Sequence, residues 1–219
     1  MSEFQWLSWI RGVGLQSAVA IFCMGIVWRT MEIYTLGRKL DIAEPRRISG
    51  ASGWHTIYRR FLAPLGMIHL DPVTYIGGYV FHLGLLIVFF LSEPHIHLIR
   101  ELIGLSWPAL PPSMIDIVTI VTLITMIVVL VDRVRKPLKR FLSGFGDYVL
   151  WVITFLPVLS GYLTVHHLLL PYTILLALHM ISVEVLLIVF PFTKLFHAVT
   201  VWPSRWFNGN TNARKGVPV

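Results

Sequence analysis

Nine histidines are spread through a chain that has a single cysteine, and several of them lie in or beside stretches apolar enough to cross a membrane. Imidazole is costly in hydrocarbon, and ionisable residues retained there mark functional sites. In LHMISVEVLLIVFPFTKLFH, residues 178–197, one apolar run carries both His179 and His197. Eighteen residues at ~100° each make five full turns, so a continuous helix puts both imidazoles on one face, ~27 Å apart along its axis. One metal ion cannot bridge that gap, whereas two sites stacked across a membrane can. A second run, YVFHLGLLIVFFLSEPHIHLI (79–99), carries His82 near its start and His95 and His97 near its end. Antiparallel packing pairs His82 with His197, and His95 or His97 with His179. From His82 to His95 is ~19 Å and to His97 ~22 Å, so tilted helices or leaning ligands must make up the difference. Gly84 and the Gly77–Gly78 pair are expected to leave room for a flat macrocycle. Two b-type haems with paired histidine ligands, inside a helix bundle, are the economical chemistry. Cys23 alone excludes an intrachain disulfide framework, a cysteine-ligated zinc or iron–sulfur site, and haem attached through C-x-x-C-H. No G-x-G-x-x-G after a strand and no P-loop is present.

The elements that must position these histidines are membrane helices. The chain is 56% hydrophobic and 13% charged, with a mean hydropathy of +0.73, against roughly 25% charged in a soluble domain. Apolar runs long enough for a ~30 Å hydrocarbon core are predicted at about 12–34, 73–92, 113–131, 147–165 and 171–193. They give an all-α integral membrane protein, a single five-helix domain over 1–219 with a loop at 36–72 and a tail at 198–219. MSEFQWLSWIRGVG lacks the pattern of a cleaved signal, so the first run is expected to be retained. All the Lys and Arg except Arg11 and Arg100 fall in the loop 36–72, the loop 132–146, the C-terminal segment or, as Arg29, at the adjoining end of the first helix. The positive-inside rule then places the N-terminus outside and the C-terminus in the cytoplasm. The net charge of +7 thus reads as orientation signal and anionic-lipid contact rather than nucleic-acid binding. His55 and His69 read as interfacial side chains.

These residues resemble a known family, the gamma (cytochrome b) subunit of respiratory nitrate reductases. Its relatives are the membrane cytochromes of sulfite-reduction-associated, heterodisulfide-reductase-like and Isp-type hydrogenase complexes. The resemblance is carried by FHLG at 81–84, by LH-(x17)-H closing in FPFTKLFH at 178–197 and, more faintly, by WRTMEIY at 28–34. In span number and orientation it covers essentially the whole chain. It implies a dihaem cytochrome b of the cell inner (cytoplasmic) membrane that exchanges electrons with menaquinone or ubiquinone. Partners would be an iron–sulfur subunit and a catalytic subunit of a respiratory complex. His179 and His197 would each ligate one of two haem b groups, with His82 the second ligand of the cytoplasmic haem. The family places its other second-helix histidine ten residues after the first, and here that residue is Ser92. The outer ligand must shift, with His95 the choice and His97 and His166 the fallbacks.

On this reading quinol binds near the outer haem, its protons leave outside, and electrons cross to the cytoplasmic side, or the flow runs in reverse. Glu93, Glu101, His166 and His167 are the candidate proton handlers. Glu184 falls on a different helix face from His179 and reads as a helix-contact or water-cavity residue. The segment SGWHTIYRRFLAPLGMIHL (52–70) is expected to lie along the cytoplasmic interface. The rival readings are a histidine-based proton or metal transporter, and a membrane anchor binding one haem or none.

Overall fold

A computed structural model describes residues 3–37 and 53–217, which contain only helices and their connections. In chain order the helices are α1 (Glu3–Trp9), α2 (Leu15–Thr35), α3 (Gly53–Arg59), α4 (Leu65–Leu70), α5 (Pro72–Leu91) and α6 (Glu93–Ile103). They continue as α7 (Pro112–Arg135), α8 (Pro137–Leu142), α9 (Phe145–Val165), α10 (Tyr172–Val189) and α11 (His197–Lys215). A π turn, Ile10–Gly14, joins α1 to α2. Five stretches are long and apolar enough to span a membrane: Gln5–Thr35, Pro72–Leu91, Pro112–Arg135, Phe145–Val165 and Tyr172–Phe192. They match the predicted runs to within a few residues, except that the first reaches further toward the N-terminus. Large apolar side chains such as Ile117, Ile124, Leu83 and Leu86 stay exposed along them. A surface of that kind is stable against lipid and not against water. This is a multi-pass membrane protein.

Proline sets the helix limits. Pro72 and Pro112 open α5 and α7 at positions where a backbone N–H has no intrahelical partner anyway. Pro137 forces Lys136 into extended backbone (ψ 116°), and α7 stops there. Pro157 is accommodated inside α9.

The chain forms two compact units. In the first, residues 1–15 and 68–186, α5 packs on α7 through small residues. A Cβ at Gly77 would lie 2.7 Å from Val129, and one at Gly84 would overlap Thr122. Thr119 and Thr122 return their hydroxyls to the carbonyls of Ile115 and Val118, each at 2.7 Å, so no polar group is stranded in the contact. The expectation that Gly77 and Gly84 clear space for a macrocycle is therefore corrected: the neighbouring helix fills that space. Gly78 alone of the three faces open space. Trp151 of α9 donates its indole N–H to the Met126 carbonyl of α7 (3.1 Å).

Where α5 begins and α7 ends, Lys136 bridges Asp71 and Asp132, each at 2.9 Å, and Lys139 meets Asp71 at 2.6 Å and also Asp132 and Thr74. The Asp132 and Asp71 carboxylates push the Lys136 ammonium up to about 12. Partial burial works to raise the Asp71 carboxyl, but hydrogen bonds from Lys139, Lys136 and Thr74 outweigh it and hold it well below the usual carboxylate range. Lys136 and Lys139, counted among the orientation charges, are matched by two aspartates.

The second unit comprises residues 16–67 and 187–219. Gly25 of α2 leaves a notch for Pro191, where a Cβ would come within 2.7 Å of the proline ring, and Phe22 meets Phe190 edge-on at 5.3 Å. The segment expected along the interface forms the short helices α3 and α4. Helix α3 seats on α11: Gly53 lies against Trp206, its N–H donates to Asn210 Oδ1 (2.8 Å), and Thr56 is buried against Gly209. The tail predicted at 198–219 is thus mostly helix. Arg38, Lys39, Arg46 and Arg47, which the orientation argument counted, lie outside the described residues.

Candidate functional site

Helix α5 ends at Leu91 because Ser92 turns out of helical geometry (φ −82°, ψ 131°), and α6 starts at Glu93 with Pro94 in its first turn. A helix end strands its last carbonyls, and here three of them find donors further along the chain. Val88 O accepts from His95 Nδ1 (3.0 Å), Phe90 O from Trp107 Nε1 (2.6 Å) and Leu91 O from the Leu110 N–H (2.9 Å). Ser92, which stands where the resemblance expects a ligand, is therefore the break that lets His95 fold back.

The imidazole of His179, on α10, faces His95. The two ring centroids are 6.1 Å apart and the ring planes differ by 23°. His179 Nδ1 donates to the Pro157 carbonyl of α9 (3.0 Å), with Ser160 Oγ at 3.2 Å and Ser182 Oγ 3.3 Å beyond it. Gly161 makes room for the ring, since a Cβ there would lie 3.1 Å from His179 Cε1 and 3.3 Å from Nδ1. Both histidines thus hold their Nδ1–H on a backbone carbonyl, which puts the neutral ring's lone pair on Nε2. Metal-ligating histidines carry this outer contact as a rule.

The pair offers a donor set that a haem iron takes, two imidazoles each with Nδ1 held on a backbone carbonyl. Two imidazoles that bound one iron at the ~2.0 Å typical of imidazole–metal bonds would have centroids ~6.2 Å apart.

The other proposed ligands are placed separately. His82, in the first unit, sets Nδ1 on the Gly78 carbonyl at 2.7 Å; His197, in the second, sets Nδ1 on the Lys194 carbonyl at 2.8 Å. The expectation of five unbroken turns between His179 and His197 is corrected. After Val189 the chain passes through the 3-10 turn Phe190–Phe192, extended Thr193 (ψ −177°) and a second 3-10 turn, Lys194–Phe196, before α11 begins at His197. Pro191 cannot continue the ladder, so the helical phase is lost.

His97 pairs with Glu93 along α6 (3.6 Å), and Glu101 pairs with Arg11 (3.2 Å), all well exposed. His166, at the end of α9, gives Nε2 to Asp116 Oδ1 of α7 at 3.1 Å, with both side chains one-third exposed and Tyr162 at 4.4 Å between ring centres. His167 adopts positive φ (51°) and lies 5.1 Å from the Tyr172 ring. Neither His97 nor His166 is the partner of His179. Sequence reasoning missed Asp116, although an acid one turn into the most apolar span was a visible signal. It also missed Pro157, Ser160 and Gly161 as the setting of His179, for which the sequence held no signal.

No family model matches the chain, and no solved structure matches it. A curated protein of Nitratidesulfovibrio vulgaris (Hildenborough strain) is 28% identical over 203 residues, covering 90% of this chain and 89% of its own length, and its name reads only "Protein".

Proposed function

We propose that this chain is the membrane cytochrome b subunit of a respiratory oxidoreductase complex, exchanging electrons between membrane quinone and an iron–sulfur partner on the cytoplasmic side. The observation that carries the proposal is the His95–His179 pair: two imidazoles from different helices, with ring centroids 6.1 Å apart, each with Nδ1 tied to a backbone carbonyl. His95 and His179 would hold the outer haem b. His82 and His197 are proposed for the second on the sequence pattern alone. Haem so ligated supplies a one-electron couple whose potential follows burial and axial ligand set. The N-terminus is proposed outside and the Asp71–Lys136 end of α5 and α7 on the cytoplasmic side of the inner membrane.

The chain's own contribution is positioning and proton handling. Val88 O and Pro157 O fix the tautomers, and Gly161 seats the His179 ring. At the same end of the bundle the Asp116–His166 pair provides a base for the hydroxyl protons of a quinol. With Nε2–H on Asp116, the lone pair of His166 sits on Nδ1, and the carboxylate stabilises the imidazolium formed there. His167, Glu93 and Glu101 are further candidates for passing the protons outward.

Purified from fresh membranes, the chain is expected to carry two b-type haems, seen in reduced-minus-oxidised spectra and in haem content per chain. His179→Ala and His82→Ala should each remove one. Protein without haem, or full haem content in both variants, refutes the proposal.

A further inference from the structure

Glu184 lies in α10 within the apolar stretch Tyr172–Phe192, and nothing in the proposed electron transfer uses it. Its Oε1 is buried and has no hydrogen-bond partner. Both oxygens rest against the backbone of Gly14, where a Cβ would come within 3.0 Å of Oε1 and 3.1 Å of Oε2. Gly14 closes the π turn Ile10–Gly14. Such turns are rare, are costly to keep and recur at functional positions. A carboxylate left ionised in that notch would need a cation, because burial of an unpaired charge is heavily penalised. Arg11, on the same π turn, is engaged with Glu101 at 3.2 Å. A proton neutralises the group without any further charged side chain.

We propose that Glu184 is a proton-carrying carboxyl: the π turn and Gly14 form a notch that holds it as the neutral acid within the membrane span, a site for a proton and for hydrophobic carbodiimides. Such a reagent adds to the acid without any redox change. The carboxyl O–H bond breaks, its proton passes to a carbodiimide nitrogen, and the carboxyl oxygen bonds to the central carbon to give an O-acylisourea, which rearranges to a stable N-acylurea. The inference does not depend on haem, since Glu184 is no ligand.

The test treats the full chain in lipid vesicles with dicyclohexylcarbodiimide, maps the adduct by mass spectrometry, and records the infrared carbonyl band of protonated carboxyls in H2O and D2O. An adduct at Glu184 is expected, with a deuterium-sensitive band that Glu184→Gln removes. Gly14→Ala places a methyl where the oxygens rest, and in protein of unchanged helicity it should slow labelling several-fold and shift the band. This second variant keeps the test decisive if Glu184→Gln does not fold. Absence of both adduct and band in the unaltered chain, or wild-type labelling and band in folded Gly14→Ala, overturns the proposal. Protection from labelling by sodium at fixed pH also overturns it, since the notch would then be a cation site.

Discussion

Gly161 offers a sharp test of the candidate site, because it touches His179 without being a ligand. Gly161→Ala puts a methyl carbon 3.1 Å from His179 Cε1 and 3.3 Å from Nδ1, where ordinary contact begins near ~3.4 Å. The imidazole must retreat by at least ~0.3 Å, while metal–ligand distances tolerate about ±0.2 Å. The retreat also strains the Nδ1 bonds to Pro157 O and Ser160 Oγ. Disturbing such an outer contact lowers metal affinity by ~10–100-fold, or about 1.4–2.8 kcal/mol. Titration of haem-depleted protein with haemin, followed at the Soret band, should therefore show one of two sites weakened by that factor and the other unchanged. Gly146→Ala is the matched control: it lies in the same helix and its Cβ would meet nothing within 4 Å. Wild-type affinity at both sites in Gly161→Ala, or equal weakening in Gly146→Ala, refutes the reasoning.

Gly84→Ala forces a methyl into Thr122 at the α5–α7 contact and should cost about 1–3 kcal/mol, as over-packing does; denaturant unfolding in detergent should show it, with partial rescue by Thr122→Ala. Asp116→Asn should leave haem content unchanged and slow quinol-driven haem reduction by ~100-fold, the lower range for loss of acid–base assistance, while reduction by dithionite stays at the wild-type rate. The Asp71 carboxyl is held low when folded, so its stabilisation is present above its unfolded value of 3.8 and is lost as pH falls through the folded one. Lys136 acts with the opposite sign, its share being complete below 10.5 and lost as pH rises through about 12. Unfolding midpoints should therefore fall below pH ~4, and Asp71→Asn should flatten that dependence.

The spans were readable because each apolar run is fenced by proline or by basic clusters, and hydrocarbon thickness fixes helix length. His179 was readable because imidazole inside such a run is rare enough to stand out, and His95, just past the end of its run, was chosen because Ser92 stands where a ligand was expected. What failed depended on backbone detail that residue types do not carry. Counting five turns from His179 to His197 assumed an unbroken helix, and Pro191 with Thr193 breaks it. Gly77 and Gly84 were assigned to cofactor clearance because their shared purpose with Val129 and Thr122 depends on which helix lies alongside. Asp71 and Asp132 are sixty-one residues apart in sequence and nothing in their spacing announces that they meet the same two lysines. Trp107 and Leu110 likewise reach back to α5 from a loop whose path no periodicity describes.

The early end of α5 also bears on the order of assembly. The carbonyls of Val88, Phe90 and Leu91 need donors as soon as that helix stops, and His95, Trp107 and Leu110 supply them within the polypeptide itself. His95 is therefore held by the demand of a helix terminus, through a contact that forms as the chain itself folds.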